Sequence, residues 1–203
     1  MYVALAAAAE QCIGYFKSQE LANTAWAFAT VATADQNDAS LFATLATAAE
    51  QHIGGFKSQE LANTAWALAT ADQNDASLFA ALATAAERHM GDFKSQELAN
   101  TAWAFATADH HDASLFSTLG AAAEQRICDF NPQNLGNTAW AFAKAGQNDA
   151  YLFAALAAAA KQFIGSFTPA DLLKFVRSHE WTNGKDQSWA RTVTPQHVHK
   201  YTL

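Results

Sequence analysis

The sequence predicts an all-α fold, a right-handed α-solenoid of tandem helix pairs that repeat about every 37 residues. The first observation is the segment Leu-Ala-Asn-Thr-Ala-Trp-Ala-Phe-Ala, which begins at Leu21 and returns nearly unchanged from Leu61, Leu98 and Leu135. The second is composition: 51% of the residues are hydrophobic, and alanine, the best helix former, is prominent among them. Strand-like runs of β-branched residues are missing from the sequence. Together these features indicate stacked helical repeats that share one continuous core.

Each repeat is predicted to contain a helix A and then a helix B. Helix A begins near Ser18 in the first copy, and later copies begin with Asn131-Pro132 and Thr168-Pro169, the pattern of an N-cap before a first-turn proline. Apolar residues then recur at helical spacing and predict a buried stripe on helix A. A second stripe is small and polar, and we expect it to form the exposed face: Glu20, Asn23, Ala27 and Thr30.

Helix B is predicted to begin after an aspartate, which accepts free backbone N–H groups and faces the positive end of the helix dipole. These aspartates are Asp38, Asp75, Asp112 and Asp149. Helix B is predicted to end at a glycine in the left-handed conformation that often closes helices. The glycines are Gly14, Gly54, Gly91 and Gly165.

These patterns divide the chain into a solenoid over residues 1–180 and an irregular or disordered tail over 181–203. The chain begins in mid-repeat, so we expect it to be a fragment of a longer protein. The predicted units are a partial repeat 1–15, repeats 16–55, 56–92, 93–129 and 130–166, and a degenerate capping helix 167–180.

The net charge of −7 is unevenly distributed. Residues 1–130 carry 15 acidic and 5 basic side chains, a balance of −10, and residues 131–203 carry 4 acidic and 7 basic, a balance of +3. An acidic body disfavours non-specific binding of nucleic acid, which depends on Lys and Arg neutralising phosphates. Cys12 and Cys128 fall in distant repeats, which favours free thiols and a reducing compartment. No apolar run reaches membrane-spanning length.

The repeat resembles the octotricopeptide repeat and the related helical repeats of RAP-domain and RNA-editing substrate-binding complex proteins. The likeness is carried by Phe-(Lys/Asn)-(Ser/Pro)-Gln-x-Leu-(Ala/Gly)-Asn-Thr-Ala-Trp-Ala-(Phe/Leu)-Ala, as at 56–69 and 130–143, and with helix B it covers about 1–180. The resemblance implies a paired-helix solenoid that acts on RNA in mitochondria or chloroplasts. It implies support of RNA stability, processing, editing or translation without catalysis. The sequence departs from this pattern in lacking a recognisable RAP domain and in being acidic.

A column of amide and hydroxyl residues on helix A supplies the main RNA-contact candidates. An amide offers a donor and an acceptor together, which suits the edge of an unpaired base. The same residues could instead form a hydrogen-bonded ladder between neighbouring A helices, and the sequence leaves both interpretations open. The candidates are Asn23, Thr24, Asn63, Thr64, Asn100, Thr101, Asn137 and Thr138.

Two further columns complete the candidate residues. Lys17, Lys57 and Lys94 recur at the start of helix A, where they could follow phosphates, although lysines at this spacing are more often solvated surface. The tryptophans could stack on bases, but their size and their position beside a buried alanine favour a structural role in the core. The tryptophans are Trp26, Trp66, Trp103 and Trp140.

The sequence therefore predicts a non-catalytic protein that binds single-stranded RNA in organellar RNA metabolism. The alternative is a protein-interaction scaffold, because helical solenoids serve both uses. We find no catalytic constellation, metal site or cofactor motif, and no targeting peptide. Expected partners are RNA and other subunits of an organellar ribonucleoprotein complex, with no membrane association, in a mitochondrion or a chloroplast.

Overall fold

The computed structural model describes residues 2–31 and 39–163, together with Ser166 and Thr168. Helices without strands make up the regular structure of these residues. Four short 3-10 turns, at Ile13–Tyr15, Ile53–Gly55, Met90–Asp92 and Ile127–Asp129, follow the first four B helices. The α-helices are α1 Tyr2–Cys12, α2 Ser18–Val31, α3 Ala39–His52, α4 Ser58–Thr70, α5 Ala76–His89, α6 Ser95–Thr107, α7 Ala113–Gln125, α8 Pro132–Lys144 and α9 Ala150–Gln162.

The even-numbered helices α2, α4, α6 and α8 are the predicted A helices, and the odd-numbered ones are the predicted B helices. Each A helix packs closely along the next A helix, whereas the backbones of neighbouring B helices come less close to each other. The predicted capping helix over 167–180, apart from Thr168, and the tail over 181–203 lie outside the described residues. Asp38 and Gly165 also lie outside them.

Small residues allow the close A–A packing. Ala67, Ala104 and Ala141 have no exposed surface, whereas the equivalent Ala27 on α2, which has no described A helix before it, is exposed. These alanines therefore lie in the A–A contacts, because a helix without bulky side chains lets its neighbour approach closely. The expectation that this stripe forms the exposed face is wrong at the alanine position of the internal repeats, whereas Thr70 in the same stripe is exposed.

Phenylalanines fill the space between A and B helices. Phe79 on α5 meets Phe105 on α6 edge to face with ring centroids 5.1 Å apart, and Phe116 on α7 meets Phe142 on α8 in the same way. All four rings are buried. Edge-to-face geometry is a favourable arrangement of two aromatic rings, and it fixes α5 against α6 and α7 against α8, the A helices of the following repeats.

The predicted N-caps of helix B are confirmed where they are described. The Asp75 Oδ1 atom accepts hydrogen bonds from the backbone N–H groups of Ser77, at 2.9 Å, and Leu78, at 3.1 Å. Asp112 and Asp149 cap α7 and α9 in the same way. These bonds satisfy donors that the first turn of a helix leaves without partners.

Helix A begins in two ways. On α8, the Asn131 Oδ1 atom accepts the N–H of Asn134 at 2.8 Å, and Pro132 occupies the first helical position, as predicted. On α2, α4 and α6, a glutamate of the first turn accepts the backbone N–H of the preceding lysine instead, at 2.7 to 2.8 Å. The glutamates are Glu20, Glu60 and Glu97, so their carboxylates help to form the helix start.

The left-handed residues lie after the A helices rather than after the B helices. Gly14, Gly54 and Gly91 have no positive φ, so the prediction of left-handed glycine caps there is wrong. The positive φ angles belong to Asp72, Asp109 and Gly146, at 55°, 57° and 68°. Each of these follows an A helix in a Schellman motif, as in α4, where the Gln73 N–H bonds to the Leu68 carbonyl at 2.9 Å.

Candidate nucleic-acid interface

The four tryptophans form a continuous ladder along the A helices. Successive ring centroids, from Trp26 to Trp66, Trp103 and Trp140, are 6.4, 6.3 and 6.4 Å apart. Trp26 is 47% exposed, and the other three are partly buried and pack against the core. The expectation of core tryptophans is therefore wrong for Trp26. In the other three repeats the tryptophans lie at the edge of the core, because the buried alanines next to them occupy its centre.

A polar groove runs beside the ladder. Its volume is about 260 Å³. Amide side chains from three successive A-helix segments line it, and no charged residue does so among the described residues. The lining residues are Trp26, Asn63, Trp66, Gln96, Asn100, Asn131, Gln133 and Asn134. Amides can donate and accept hydrogen bonds at the same time, so the groove can meet the mixed donor and acceptor edge of a base.

The asparagine column lies partly in this groove. Asn63 and Asn100 line it and are half-buried, Asn23 on the first A helix is exposed, and Asn137 on α8 is buried. Asn63 and Asn100 are less exposed than Asn23, because α4 and α6 each pack on a preceding A helix and α2 has none among the described residues. Asn63 and Asn100 are therefore the members of this column that line the groove.

The threonines next to these asparagines are buried in the core in three of the four repeats. Thr64, Thr101 and Thr138 are 4%, 1% and 1% exposed, so these three are not available to RNA, and their inclusion among the contact candidates was wrong. Thr24 is half-buried because α2 has no described A helix before it. Thr64 borders a core cavity of about 10 Å³ together with Leu68. Successive residues of a helix lie about 100° apart, so a residue one position from an exposed asparagine can face the core.

The buried threonine hydroxyls have no hydrogen-bond partner within the described part of the chain. This holds for the Oγ1 atoms of Thr64, Thr101 and Thr138. The ladder of hydrogen bonds between A helices that could have explained the column therefore does not use these hydroxyls. A buried hydroxyl without a partner destabilises the fold, because burial removes its hydrogen bonds to water and nothing replaces them.

The lysine column lies at the start of the A helices. Lys17, Lys57 and Lys94 are exposed, and Lys57 and Lys94 occupy the N-cap positions of α4 and α6. Backbone N–H groups and the positive end of the helix dipole also face this edge. The glutamate of the same turn lies close to each lysine backbone, so the net field at the edge is weakened.

Two features of this face were missed from the sequence. The first is the glutamine column, of which Gln96 and Gln133 line the groove. This column can be recognised in the sequence, because a glutamine stands four residues before the asparagine in every repeat: Gln19, Gln59, Gln96 and Gln133. Residues four apart on a helix share a face, so this column could have been joined to the asparagines.

The second missed feature is Lys144 at the end of α8. Its ammonium donates a hydrogen bond to the carbonyl of Thr107 at 3.1 Å and lies 3.1 Å from the Asp109 carboxylate. It also lies 5.5 Å from the centre of the Trp140 ring. The hydrogen bond and the charge of Lys144 hold the pKa of Asp109 below its usual range. Lys144 thus connects α8 to the C-terminal end of α6.

The described histidines and the two cysteines do not come together in a ligand site. Within residues 2–31 and 39–163, no three His, Cys, Asp or Glu side chains come close enough to hold a metal ion. The His110 ring instead stacks on Phe79 with centroids 4.4 Å apart, and burial lowers the pKa of His110. Cys12 and Cys128 are free and exposed. None of the described helices is long and apolar enough to cross a membrane.

The comparison with known families gives this face its context. The family of the RNA-editing substrate-binding complex 6 protein matches residues 11–198, which is nearly the whole chain. No curated protein matches the chain. The family implies a role in an RNA-editing substrate-binding complex. This role supports a mitochondrial location and does not support a chloroplast one. The chain belongs to the family of RNA-editing substrate-binding complex 6 proteins.

Proposed function

We propose that the chain is a non-catalytic subunit of a mitochondrial RNA-editing substrate-binding complex and that it binds single-stranded RNA along its A helices. The observation that carries the proposal is the polar groove beside the tryptophan ladder, lined by Asn63, Asn100, Gln96 and Gln133. The family match supports the RNA-editing context. The groove presents no nucleophile paired with a base, which favours binding over chemistry.

Single-stranded RNA suits this groove for a chemical reason. Unpaired bases expose hydrogen-bonding edges and flat faces, and proteins recognise them with amides and aromatic rings. Asn63 and Asn100 would contact base edges, while the exposed parts of Trp26 and Trp66 would contact base faces or sugars. Phosphates would then lie toward the N-terminal edge of the A helices, where Lys57 and its equivalents are exposed.

The proposed architecture is a right-handed α-solenoid of octotricopeptide type, with the A helices on the inner face. The closer contact among A helices than among B helices supports this, because a curved stack is shorter on its inner side. An inner face that carries one groove across several repeats suits an extended strand. The groove joins residues of α4, α6 and the start of α8, so an RNA strand would cross successive repeats.

The second candidate is a protein-interaction scaffold within the same complex. The acidity of residues 1–130, with a balance of −10, favours it, because acidic surface repels phosphates and attracts basic partners. Under this alternative the groove would bind a polar segment of another subunit. RNA binding by the isolated chain would then be undetectable even at low salt.

Binding of the full chain to single-stranded RNA homopolymers, at low and at physiological salt, tests the proposal. We expect weak binding with a shallow salt dependence, because few cations face the groove. The Asn63→Ala/Asn100→Ala variant should lose about tenfold or more in affinity, since two base contacts of order 1 kcal/mol are removed. The matched control is Gln51→Ala/Gln125→Ala, which removes two exposed amides from the B helices α3 and α7.

Circular dichroism would establish that both variants remain folded. Loss of affinity in the A-helix variant alone supports base contacts in the groove. Equal affinities for the two variants would place the RNA elsewhere. Absence of RNA binding at low salt, with a partner protein retained, would favour the scaffold.

A further inference from the structure

The ion pair of Lys144 defines a cation site with three components. They are the Thr107 carbonyl at the C-terminal end of α6, the Asp109 carboxylate and the face of the Trp140 ring. The last carbonyls of a helix have no partners within the helix and carry the negative end of its dipole. A carbonyl, a carboxylate and an indole face together suit an organic cation, because the ring attracts positive charge and does not ligate metal ions.

The same three components recur one repeat earlier. Thr70 ends α4 as Thr107 ends α6, and Asp72 has a φ of 55° against 57° for Asp109. The hydrogen bonds that close the two helix ends are also the same, with the Gln73 N–H on Leu68 and the His110 N–H on Phe105, each at 2.9 Å. The backbone frame of the site is therefore repeated.

The ring of the earlier site is also in place. Trp103 stands to Trp66 as Trp140 stands to Trp103, with centroid distances of 6.3 and 6.4 Å. The difference lies in the residue four positions after each tryptophan. This is Lys144 after Trp140 but Thr107 after Trp103.

Thr107 cannot supply the missing charge. Its side chain is short and neutral, and its Oγ1 atom is buried without a hydrogen-bond partner in the part of the chain that the structure describes. The earlier site thus combines an exposed carboxylate, at Asp72, with a hydroxyl that lacks a partner. The Asp72 carboxylate, which already accepts a long hydrogen bond from the Asn74 amide at 3.4 Å, can accept another from an ammonium or a guanidinium.

We propose that Thr70, Asp72 and Trp103, beside the short side chain of Thr107, form a binding site for a lysine or arginine side chain of a partner protein. The cation would take the place that Lys144 takes one repeat later, with charge-assisted bonds to the Thr70 carbonyl and the Asp72 carboxylate. This site is at the C-terminal ends of the A helices, opposite the lysine edge proposed for phosphates. A protein, and not RNA, is the expected ligand because the Asp72 carboxylate repels phosphates and the Thr70 carbonyl can only accept hydrogen bonds.

The test uses a short peptide probe, acetyl-Gly-Arg-Gly-amide, with the full chain labelled with ¹⁵N at tryptophan. We expect the Trp103 indole N–H signal, assigned through Trp103→Phe, to shift at millimolar peptide. The neutral isostere acetyl-Gly-citrulline-Gly-amide is the matched probe and should produce no comparable shift. Equal shifts with both probes would contradict the proposal, because the charge would then be irrelevant.

Two substitutions test the site from the protein side. Asp72→Asn should weaken the peptide about tenfold, the effect expected from losing a charge-assisted bond. Thr107→Lys should fill the site from within, as Lys144 does, and abolish the shift. The reverse change, Lys144→Thr, should open a second site and add a peptide-dependent shift at Trp140. If Thr107→Lys binds the peptide as the unmodified chain does, or if neither Trp103 nor Trp140 responds in any variant, the proposal is wrong.

The result is independent of the RNA proposal. The homopolymer assay with Asp72→Asn should give the affinity of the unmodified chain, because Asp72 does not line the groove. Loss of peptide binding with unchanged RNA binding would separate the two surfaces.

Discussion

Helices α2 and α6 carry the same thirteen residues, Ser-Gln-Glu-Leu-Ala-Asn-Thr-Ala-Trp-Ala-Phe-Ala-Thr, from Ser18 and from Ser95. Their surroundings differ, because α6 packs between α4 and α8 whereas α2 packs on α4 alone among the A helices described. Phe105 is 1% exposed and its equivalent Phe28 is half-buried. The comparison shows that identical side chains contribute to stability according to how completely neighbouring helices cover them. It also supplies matched pairs for mutagenesis.

The largest expected difference concerns the phenylalanine pair. Phe105→Ala should lower the free energy of unfolding by ~3–5 kcal/mol, because it leaves a cavity between α6 and α5 that neighbouring helices cannot fill. Phe28→Ala should cost clearly less, since part of that ring already faces solvent. Urea unfolding followed by circular dichroism measures both. Equal midpoints would mean that α2 is as well covered as α6.

The next difference concerns the alanine in the A–A contact. Ala104→Leu should destabilise by about 1–3 kcal/mol, because added methyl groups force α4 and α6 apart. Ala27→Leu should change stability little, since Ala27 is exposed. Thermal unfolding of the two variants provides the measurement. A large loss with Ala27→Leu would indicate that another surface covers α2.

A smaller effect, which stabilises instead of destabilising, is expected at Thr101 and its equivalent Thr24. Thr101→Val should raise the free energy of unfolding by about 1 kcal/mol, because it replaces a buried hydroxyl without a partner by a methyl group of similar size. Thr24→Val should have less effect, as Thr24 is half-buried. Urea unfolding would detect the difference. Destabilisation by Thr101→Val would show that the hydroxyl forms a bond in solution.

The smallest effect concerns the left-handed residue after the A helix. Asp72→Gly should raise stability by up to about 1 kcal/mol, since an L-residue pays for positive φ and glycine does not. Gly146 already has glycine at this position, so Gly146→Asp should cost a similar amount. Asp109 is a poorer test because it also pairs with Lys144. Thermal midpoints of the two variants should move in opposite directions, and movement in the same direction would contradict the argument.

The sequence was sufficient to predict the helices and most of their caps. Asp75, Asp112 and Asp149 follow from local chemistry, because an N-cap depends only on the residues of the first turn. It was harder to predict which residues of helix A are buried and which are exposed. Trp66 and Thr64 are two positions apart and lie on the border of the buried stripe, where the distance between neighbouring helices decides which one is covered. That distance is a property of the packed structure.

The candidate site was predicted only in part for the same reason. Asn63 and Asn100 were expected to face a ligand and do line the groove, but Thr64 and Thr101 were expected there and are buried. Lys144 joins two helices that are far apart in the chain, because its ammonium donates a hydrogen bond to the Thr107 carbonyl. Such a contact has no local signal, so it could be recognised only after the repeats were placed in space.

The most direct test of RNA binding on the A helices is photo-cross-linking of the full chain to a 4-thiouridine oligonucleotide, with residues assigned by mass spectrometry. We predict cross-links on α4 and α6 near Trp66, Gln96 and Asn100, and few on the B helices α3, α5 and α7. Competition with unlabelled single-stranded RNA should remove them. Cross-links concentrated on the B helices, while RNA remains bound, would contradict the account.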